Sequence, residues 1–253
     1  MKKFTFHSYT VQTTYGKIHT LEAGQGKPLI FFHGWSSNAY LYTRVLEVLS
    51  KKYRIILPTL PGAYPSFSWK GKPARDTITD ALSQWFESLR ISSCTVIGHS
   101  LGGIHAILLA SRIPKHIQHL FLLDSAGVPI IRTPKEWRDA WFFKRKRFIQ
   151  DHGFAVVAKD FIQGFLFQFF THRKDLIALS KIARHDDIRD IAKNLSVPTT
   201  IVWGSNDYFI PQDIGKELQK ATPNSHFHVV DGDHEWPVYA PELLLPILSK
   251  NNI

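Results

Sequence analysis

Short runs of apolar residues, separated by stretches of helical periodicity, predict alternating strands and helices along most of the chain. The runs are nearly continuous, which is typical of strands that helices cover on both faces. They are PLIFFHG (28–34), RIILP (54–58), CTVIG (94–98), HLFLLD (119–124) and PTTIVWG (198–204). Between them, amphipathic helices are predicted over residues 40–50, 77–89 and 101–111. This order predicts an α/β fold with a mostly parallel sheet and helices on both faces.

Two further segments complete the predicted organisation. Residues 4–22 alternate between apolar and polar positions about TYGK, which indicates two antiparallel strands joined near Gly16. Residues 128–192 contain WRDAWFFKRKRF and FLFQFF and lack a convincing core strand. Because this segment lies between two predicted strands, we interpret it as an inserted helical cap. The core then comprises residues 1–127 and 193–253.

Composition narrows the class of protein. Hydrophobic residues make up 44% and charged residues 21%, which is ordinary for a globular protein. The single cysteine, Cys94, cannot form an internal disulfide, and the N-terminal residues build no continuous apolar signal segment. No stretch of the sequence approaches membrane-spanning length. We therefore expect a cytoplasmic protein without a transmembrane segment.

The formal charge of +10 raises the question of a nucleic-acid partner. The basic residues are spread along the chain, however, and no zinc-ligand spacing, helix-turn-helix or RNA-binding signature accompanies them. We therefore expect no nucleic-acid partner. The one dense basic run, KRKR at residues 144–147, is interpreted as a solvated helix face, with contact to an anionic substrate, a lipid surface or a polyanion as the alternative.

The first candidate for chemistry is a serine between two glycines. Gly98-His99-Ser100-Leu101-Gly102 follows a predicted strand and opens a predicted helix. In this context the G-x-S-x-G pattern indicates a sharp strand-to-helix turn that presents the serine as a nucleophile. Glycine at both ends removes side chains that would collide across so tight a turn. His99, inside the motif, is interpreted as structural.

A serine nucleophile needs a general base and an acid to orient that base. His234 follows the strand-like HFHVV, and Asp207 follows the strand PTTIVWG, so the chain order is serine, acid, histidine. Asp124, at the end of HLFLLD, is the rival for the acid, although Asp207 is favoured. The backbone N–H groups of Leu101 and Trp35 are the candidate donors to an oxyanion. No metal or cofactor is then needed.

At this point the sequence resembles the α/β-hydrolase superfamily over nearly its whole length. The segments that carry the resemblance are FFHGW, GHSLGG, LLDSAG, VWGSND and GDHEWP. The resemblance implies an eight-stranded, mostly parallel sheet with a helical cap after the sixth strand. It also implies that Ser100, Asp207 and His234 form a catalytic triad. Relatives with an aspartate nucleophile and the proline iminopeptidases are disfavoured, because Ser100 occupies the turn and HGGPG is absent. Residues 61–66 depart from the superfamily's usual Pro-Gly-x-Gly-x-Ser loop.

The function expected from these residues is a serine hydrolase that cleaves a small carboxylic ester. Lactone, thioester or carbon–carbon bond hydrolysis and cofactor-free perhydrolysis are chemical variants of the same triad. A ligand-binding protein on a hydrolase fold is the alternative from another class. Aromatic residues of the cap and the last loop are the candidate pocket: Trp141, Phe142, Phe165, Phe169 and Trp236.

Overall fold

Residues 4–152, 162–251 and 253, which the computed structural model describes, contain an eight-stranded sheet. Its strands are β1 (His7–Gln12), β2 (Lys17–Ala23), β3 (Pro28–Phe32), β4 (Arg54–Pro58), β5 (Cys94–His99), β6 (Ile117–Leu123), β7 (Thr199–Gly204) and β8 (Ser225–Val230). Their order in the sheet is β1-β2-β4-β3-β5-β6-β7-β8. The pairs β1–β2 and β2–β4 are antiparallel and the other pairs are parallel. The prediction of a mostly parallel, eight-stranded sheet is confirmed.

Helices cover both faces of the sheet, as predicted. They are α1 (Thr43–Leu49), α2 (Arg75–Ser88), α3 (Leu101–Arg112), α4 (Pro134–His152), α5 (Phe167–Thr171), α6 (Arg173–His185), α7 (Arg189–Ala192), α8 (Gln212–Ala221), α9 (Trp236–Tyr239) and α10 (Leu244–Lys250). Successive strand residues point to opposite faces, so Val96 joins the cluster beneath α2, α3 and α8, while Ile97 joins the cluster beneath α1 and α10. Each of the described helices is too short or too polar to cross a bilayer.

The helices α4 to α7 form an insertion between β6 and β7, where the sequence predicts a cap. The insertion is fastened to the core through buried polar contacts. Asp175 on α6 is 1% exposed, and its carboxylate accepts hydrogen bonds from Ser68 Oγ at 2.6 Å and from the Trp69 N–H at 3.1 Å. Residues 153–161 of the predicted cap lie outside the described part of the chain. The limits 128–192 stay a prediction.

The parallel register brings several strand ends to one edge of the sheet. Phe32 at the end of β3 pairs with Gly98 of β5, His99 pairs with Leu123 at the end of β6, and Leu123 pairs with Val202 of β7. The loops that follow these strands therefore leave the sheet side by side. In open α/β sheets this edge is where ligands bind.

Candidate active site

Ser100 lies at the turn between β5 and α3, in a backbone conformation that side chains rarely adopt, with φ 55°. The turn is tight enough to require both flanking glycines. A Cβ on Gly98 would lie 2.5 Å from the Gly102 carbonyl oxygen, and one on Gly102 would lie 2.3 Å from the Phe32 carbonyl oxygen. The Ser100 N–H donates to the Leu123 carbonyl at 2.9 Å, which ties the strained turn to β6.

The structure brings Ser100 together with the predicted base and acid. The distance from His234 Nε2 to Ser100 Oγ is 3.1 Å, and that from His234 Nδ1 to Asp207 Oδ2 is 2.7 Å. All three residues are at least nine-tenths buried. Because a carboxylate can only accept, His234 Nδ1 carries the proton, and the lone pair of Nε2 faces the serine hydroxyl. This is the tautomer that a general base for Ser100 requires.

The second oxygen of Asp207 is also held. Its Oδ1 accepts hydrogen bonds from the backbone N–H groups of Phe209 and Ile210, both at 2.8 Å. These contacts arise because the chain turns back on itself immediately after β7. They fix the plane of the carboxylate and so direct Oδ2 at His234.

Asp124, the rival acid, lies next to this pair and forms a hydrogen bond with the side chain of Asp207. It is fully buried, and its oxygens accept hydrogen bonds from the Gly204 N–H at 2.8 Å and from the indole N–H of Trp236. Burial, and then the nearby charge of Asp207, raise the pKa of Asp124 well above its usual value. The imidazole of His234 therefore bonds to Asp207, whereas the indole of Trp236 bonds to Asp124.

The same three side chains are the described residues best placed to hold a metal ion. The potential ligand atoms of Asp124, Asp207 and His234 lie within 4.8 Å of one another. The hydrogen bond between His234 Nδ1 and Asp207 occupies atoms that such an ion would need. The arrangement of protons therefore fits a triad better than a metal centre.

The two predicted oxyanion donors lie on either side of Ser100. Leu101 begins α3, where backbone N–H groups have no partner within the helix, and Trp35 follows Gly34 in the loop after β3. A Cβ on Gly34 would lie 3.2 Å from the Ser100 Cβ, so the two loops are in contact. Within the described ranges, neither the Leu101 nor the Trp35 N–H donates to a protein acceptor. Both remain available to a ligand.

A buried tyrosine and His99 connect the loops that carry the site. The Gly34 N–H donates to the Tyr42 hydroxyl at 3.1 Å, and that hydroxyl lies 2.6 Å from His99 Nδ1. His99 Nε2 lies 2.8 Å from the His234 carbonyl, which can only accept, so Nε2 carries the proton and Nδ1 accepts from Tyr42. These hydrogen bonds link the loops that carry the predicted oxyanion donor, the nucleophile and the base. His99 has the structural place that the sequence indicated, whereas Tyr42 was not predicted.

His33 supports the same loop from below. Its Nε2 accepts from the Leu60 N–H at 2.8 Å, so Nδ1 carries the proton and donates to the Gly34 carbonyl at 2.8 Å. Burial lowers the pKa of His33 to about 4. The ring is therefore neutral and serves as a bridge.

The inserted helices also contact the loop after β3. The indole N–H of Trp35 donates to the Leu176 carbonyl at 2.8 Å, and the side-chain amide of Gln168 donates to the Ser37 carbonyl at 2.6 Å. Gln168 is 1% exposed although it lies in the aromatic segment FLFQFF. The position of the Trp35 N–H therefore depends on α5 and α6 as well as on the sheet.

The atypical loop at residues 61–66 is anchored by its last residue. Ser66 Oγ donates to the Thr59 carbonyl at 2.6 Å and accepts from the His19 N–H at 2.9 Å. The ring of His172 lies 3.0 Å from the Ser66 carbonyl, to which it donates through Nε2. The loop thus connects β2 to the inserted helices.

A cavity of about 200 Å³ opens onto Ser100 between the core and the insertion. Among the residues that the structure describes, the polar side chains in its wall are Ser100, Ser180 and Arg184. The rest of the wall is apolar: Trp35, Ile130, Trp137, Trp141, Ala183, Phe209 and Ile210. The cavity can therefore hold a small, largely apolar group against the serine.

The predicted pocket residues have different positions. Trp141 lines the cavity, and the Phe165 ring lies 6.5 Å from that of Trp35 and 6.0 Å from that of Phe169. Phe142 is 64% exposed, so it faces solvent. Trp236 does not belong to the cavity wall: it is 3% exposed, because its indole N–H bonds to the buried Asp124.

Sequence reasoning missed several cavity residues. Trp137 lies four residues before Trp141 on α4, and this spacing places both rings on one helix face. From the predicted role of Trp141, the spacing could have indicated Trp137 as a second cavity residue. Phe209 follows closely after Asp207, and Arg184 gave no local signal. Of the basic run, the side chains of residues 144, 145 and 147 lie outside the described part of the structure, and Lys146 is exposed.

Comparison with known proteins agrees with this geometry. The family model for the alpha/beta hydrolase fold matches residues 27–151. A pimeloyl-[acyl-carrier protein] methyl ester esterase of Legionella pneumophila (strain Corby) is 25% identical over 82% of this chain and 87% of its own length. Lipase 3 of Moraxella sp. (strain TA144) is 26% identical over 79% of this chain and 69% of its own length.

Solved structures show the same architecture at lower identity. The enol-lactonase from Burkholderia xenovorans LB400 is 16% identical, superposes with a TM-score of 0.79, and covers 96% of this chain and 98% of its own. The strand order, the serine turn with its flanking glycines and these matches lead to one assignment. The chain belongs to the α/β-hydrolase fold superfamily.

Proposed function

We propose that the protein is a serine hydrolase that cleaves a small carboxylic ester through an acyl-enzyme on Ser100. The observation that carries the proposal is the continuous contact from Ser100 Oγ to His234 Nε2 (3.1 Å) and from His234 Nδ1 to Asp207 (2.7 Å). A serine hydroxyl is a weak nucleophile without such a base. A turn residue with only a structural role would not need a buried imidazole held in this tautomer.

The proposed reaction follows from the positions of these groups. Ser100 Oγ attacks the ester carbonyl carbon while His234 Nε2 takes the hydroxyl proton, and the resulting imidazolium is stabilised by Asp207. The negative charge on the carbonyl oxygen is accepted by the N–H groups of Trp35 and Leu101. When the C–O bond to the alcohol breaks, His234 returns the proton to the leaving alkoxide. Water then repeats the sequence and releases the acid.

The size of the cavity supports a small substrate, and the relatives support an ester. A volume of about 200 Å³ lies below the range of roughly 300–1,000 Å³ that drug-sized ligands occupy. Two relatives are named as a methyl ester esterase and a lipase. Lactonases and carbon–carbon bond hydrolases also occur among the distant homologues, so these reactions, together with thioester cleavage and perhydrolysis, are the variants to test. A cytoplasmic location is part of the proposal, because a sequence with the single cysteine Cys94, a buried free thiol, uses no internal disulfide.

The decisive experiment combines covalent labelling with turnover. A fluorophosphonate should label Ser100 stoichiometrically, as read by peptide mass spectrometry, and methyl and p-nitrophenyl esters of short acids should be hydrolysed. Ser100→Ala should abolish both results. Ser111→Ala is the matched control, because Ser111 lies exposed at the other end of α3 and its hydroxyl donates to the Leu108 carbonyl. Hydrolysis by Ser100→Ala at the wild-type rate would refute the acyl-enzyme, and a wild type that binds but never turns over esters, lactones or diketones would favour the binding protein.

A further inference from the structure

Among the described residues, Arg184 is the cation in the mostly apolar wall of the cavity beside Ser100. Arg184 on α6 is half-buried there and shares the cavity with the serine. Apolar walls around a guanidinium reduce its hydration and strengthen any contact that it makes with an anion. The group is therefore placed to recognise charge on whatever is bound against Ser100.

Hydrogen bonds hold the backbone and the Nε of Arg184, whereas its two terminal nitrogens make none within the described residues. Its backbone carbonyl accepts from the Ile130 N–H at 2.8 Å, its Nε donates to the Ser180 carbonyl at 3.2 Å, and its Cζ lies 5.5 Å from the centre of the Trp137 ring. In the described ranges, its two terminal nitrogens make no hydrogen bond and no ion pair. These nitrogens are the pair that a carboxylate binds in a bidentate manner.

The nearest acidic residues in sequence are already paired with other arginines. Asp186 accepts from Arg75 at 2.9 Å, and Asp187 accepts from Arg189 at 2.6 Å. The charge of Arg184 is thus left without a protein counterion among the described residues. Both neighbouring aspartates bond to other arginines and not to Arg184.

A second arginine, Arg132, contacts the same tryptophan as Arg184 but has a structural role. Arg132 lies 5.2 Å from the same Trp137 ring, but its terminal nitrogens donate to the carbonyls of Phe209 and Tyr208 at 3.0 and 3.1 Å. Arg132 therefore holds the loop that follows Asp207. Arg184 has no such task at its terminal nitrogens.

We propose that Arg184 determines specificity and that the preferred substrate is an ester whose acyl group carries a carboxylate. This inference rests on the proposed ester hydrolysis at Ser100. The carboxylate pairs with the terminal nitrogens of Arg184, and the methylene groups between carboxylate and ester lie along the apolar wall formed by Ile130 and Trp137. Binding energy from the remote charge positions the carbonyl for attack.

The test compares two methyl esters of equal chain length. The anionic substrate is the monomethyl ester of the straight-chain six-carbon dicarboxylic acid, and the neutral one is methyl hexanoate. Proton release in a pH-stat at pH 7.5 gives kcat/KM for each, and the measured quantity is the ratio of anionic to neutral. The wild-type ratio is expected to exceed 10, and Arg184→Gln should lower it about 10- to 100-fold, as expected for loss of a charge-assisted hydrogen bond.

Two variants separate contact from general charge. Lys181→Gln removes the same charge from an exposed position on the same helix and should keep the wild-type ratio. Arg184→Lys keeps a cation without the planar fork and should give an intermediate ratio. An equal loss in Lys181→Gln would overturn the contact with Arg184 in favour of long-range steering.

The outcomes also distinguish this inference from the function on which it rests. A wild-type enzyme that hydrolyses both esters with a ratio near 1 overturns the role of Arg184 while leaving ester hydrolysis intact, and this result does not depend on any variant folding. A wild type that hydrolyses neither ester, and that no fluorophosphonate labels at Ser100, overturns the proposed function itself.

Discussion

Replacing Asp207 by asparagine gives the most direct test of the arrangement around His234. In the wild type, Asp207 Oδ1 accepts two backbone N–H groups at 2.8 Å, and Oδ2 faces His234 Nδ1 at 2.7 Å. An asparagine of the same shape can satisfy the two backbone donors only with its carbonyl oxygen. Its NH₂ group must then face His234, which forces Nδ1 to accept and places the imidazole proton on Nε2.

The expected loss is large because that tautomer cannot take the proton of Ser100. We expect kcat for ester hydrolysis to fall about 10⁴-fold, the usual cost of holding a triad histidine in the wrong tautomer. At about 1.4 kcal/mol per factor of ten, this corresponds to about 5 kcal/mol of transition-state stabilisation. KM should change little, since Asp207 does not line the cavity.

Asp124→Asn is the matched control. The two oxygens of Asp124 accept from the Gly204 N–H and from Trp236, and neither takes part in the contact between Asp207 and His234. Asparagine keeps the shape of the side chain and loses one of these two acceptors while that contact stays, so we expect kcat to stay within about tenfold of the wild type.

The assay is steady-state hydrolysis of p-nitrophenyl acetate at pH 7.5, with circular dichroism to verify that both variants fold. If Asp124→Asn lost four orders of magnitude while Asp207→Asn lost one, the acid would be Asp124, and the tautomer argument would be wrong. Equal, small losses in both variants would mean that His234 needs no carboxylate partner.

Three further predictions concern buried polar side chains. Gln168→Leu removes the hydrogen bond to the Ser37 carbonyl, so the loop of the proposed oxyanion donor should shift. We expect kcat to fall about tenfold with little change in KM. Equal changes in kcat and KM would argue against this positioning role. Tyr42→Phe removes the hydroxyl that bonds to the Gly34 N–H and to His99 Nδ1, and should cost about 1–3 kcal/mol in urea unfolding. Burial lowers the pKa of His105 to about 3. As the pH falls below about 6.5, His105 is therefore protonated in the unfolded chain but not in the folded protein. The free energy of unfolding should therefore decrease as the pH falls below 6.5. Between pH 6.5 and pH 5, this decrease should be about 2 kcal/mol smaller in His105→Leu than in the wild type, as measured by urea unfolding at both pH values.

The strands and the nucleophile turn could be predicted because their signals are local. The run before Ser100 is mostly apolar because every residue of β5 is buried. The glycines at 98 and 102 are required by atoms within a few ångströms of the turn. Asp207 and His234 could be predicted because each follows a strand that ends at the same edge of the sheet. The sequence could rank Asp207 above Asp124, but only the coordinates show which carboxylate meets the imidazole.

The cavity was harder to predict because it is built by packing between distant segments. Phe142 and Trp141 are neighbours in a single aromatic run, yet only Trp141 lines the cavity, since adjacent residues of a helix point in different directions. Trp236 is aromatic and close to His234 in sequence, but a buried indole needs an acceptor, and Asp124 supplies it. Nothing local to Arg184 indicates that its neighbouring aspartates are taken by other arginines.

The loop after β3 joins the chemistry of the core to the selectivity of the insertion. The N–H of Trp35 is a proposed oxyanion donor, while its side chain lines the cavity and donates to the Leu176 carbonyl on α6. The same helix carries Arg184, so one rigid element contacts both the charge-recognising group and the residue next to the reacting carbonyl. A displacement of α6 must therefore change the oxyanion site and the shape of the cavity together. For this reason, substitutions that remodel α6 should alter kcat as well as substrate preference, whereas substitutions confined to the Arg184 side chain should alter preference first.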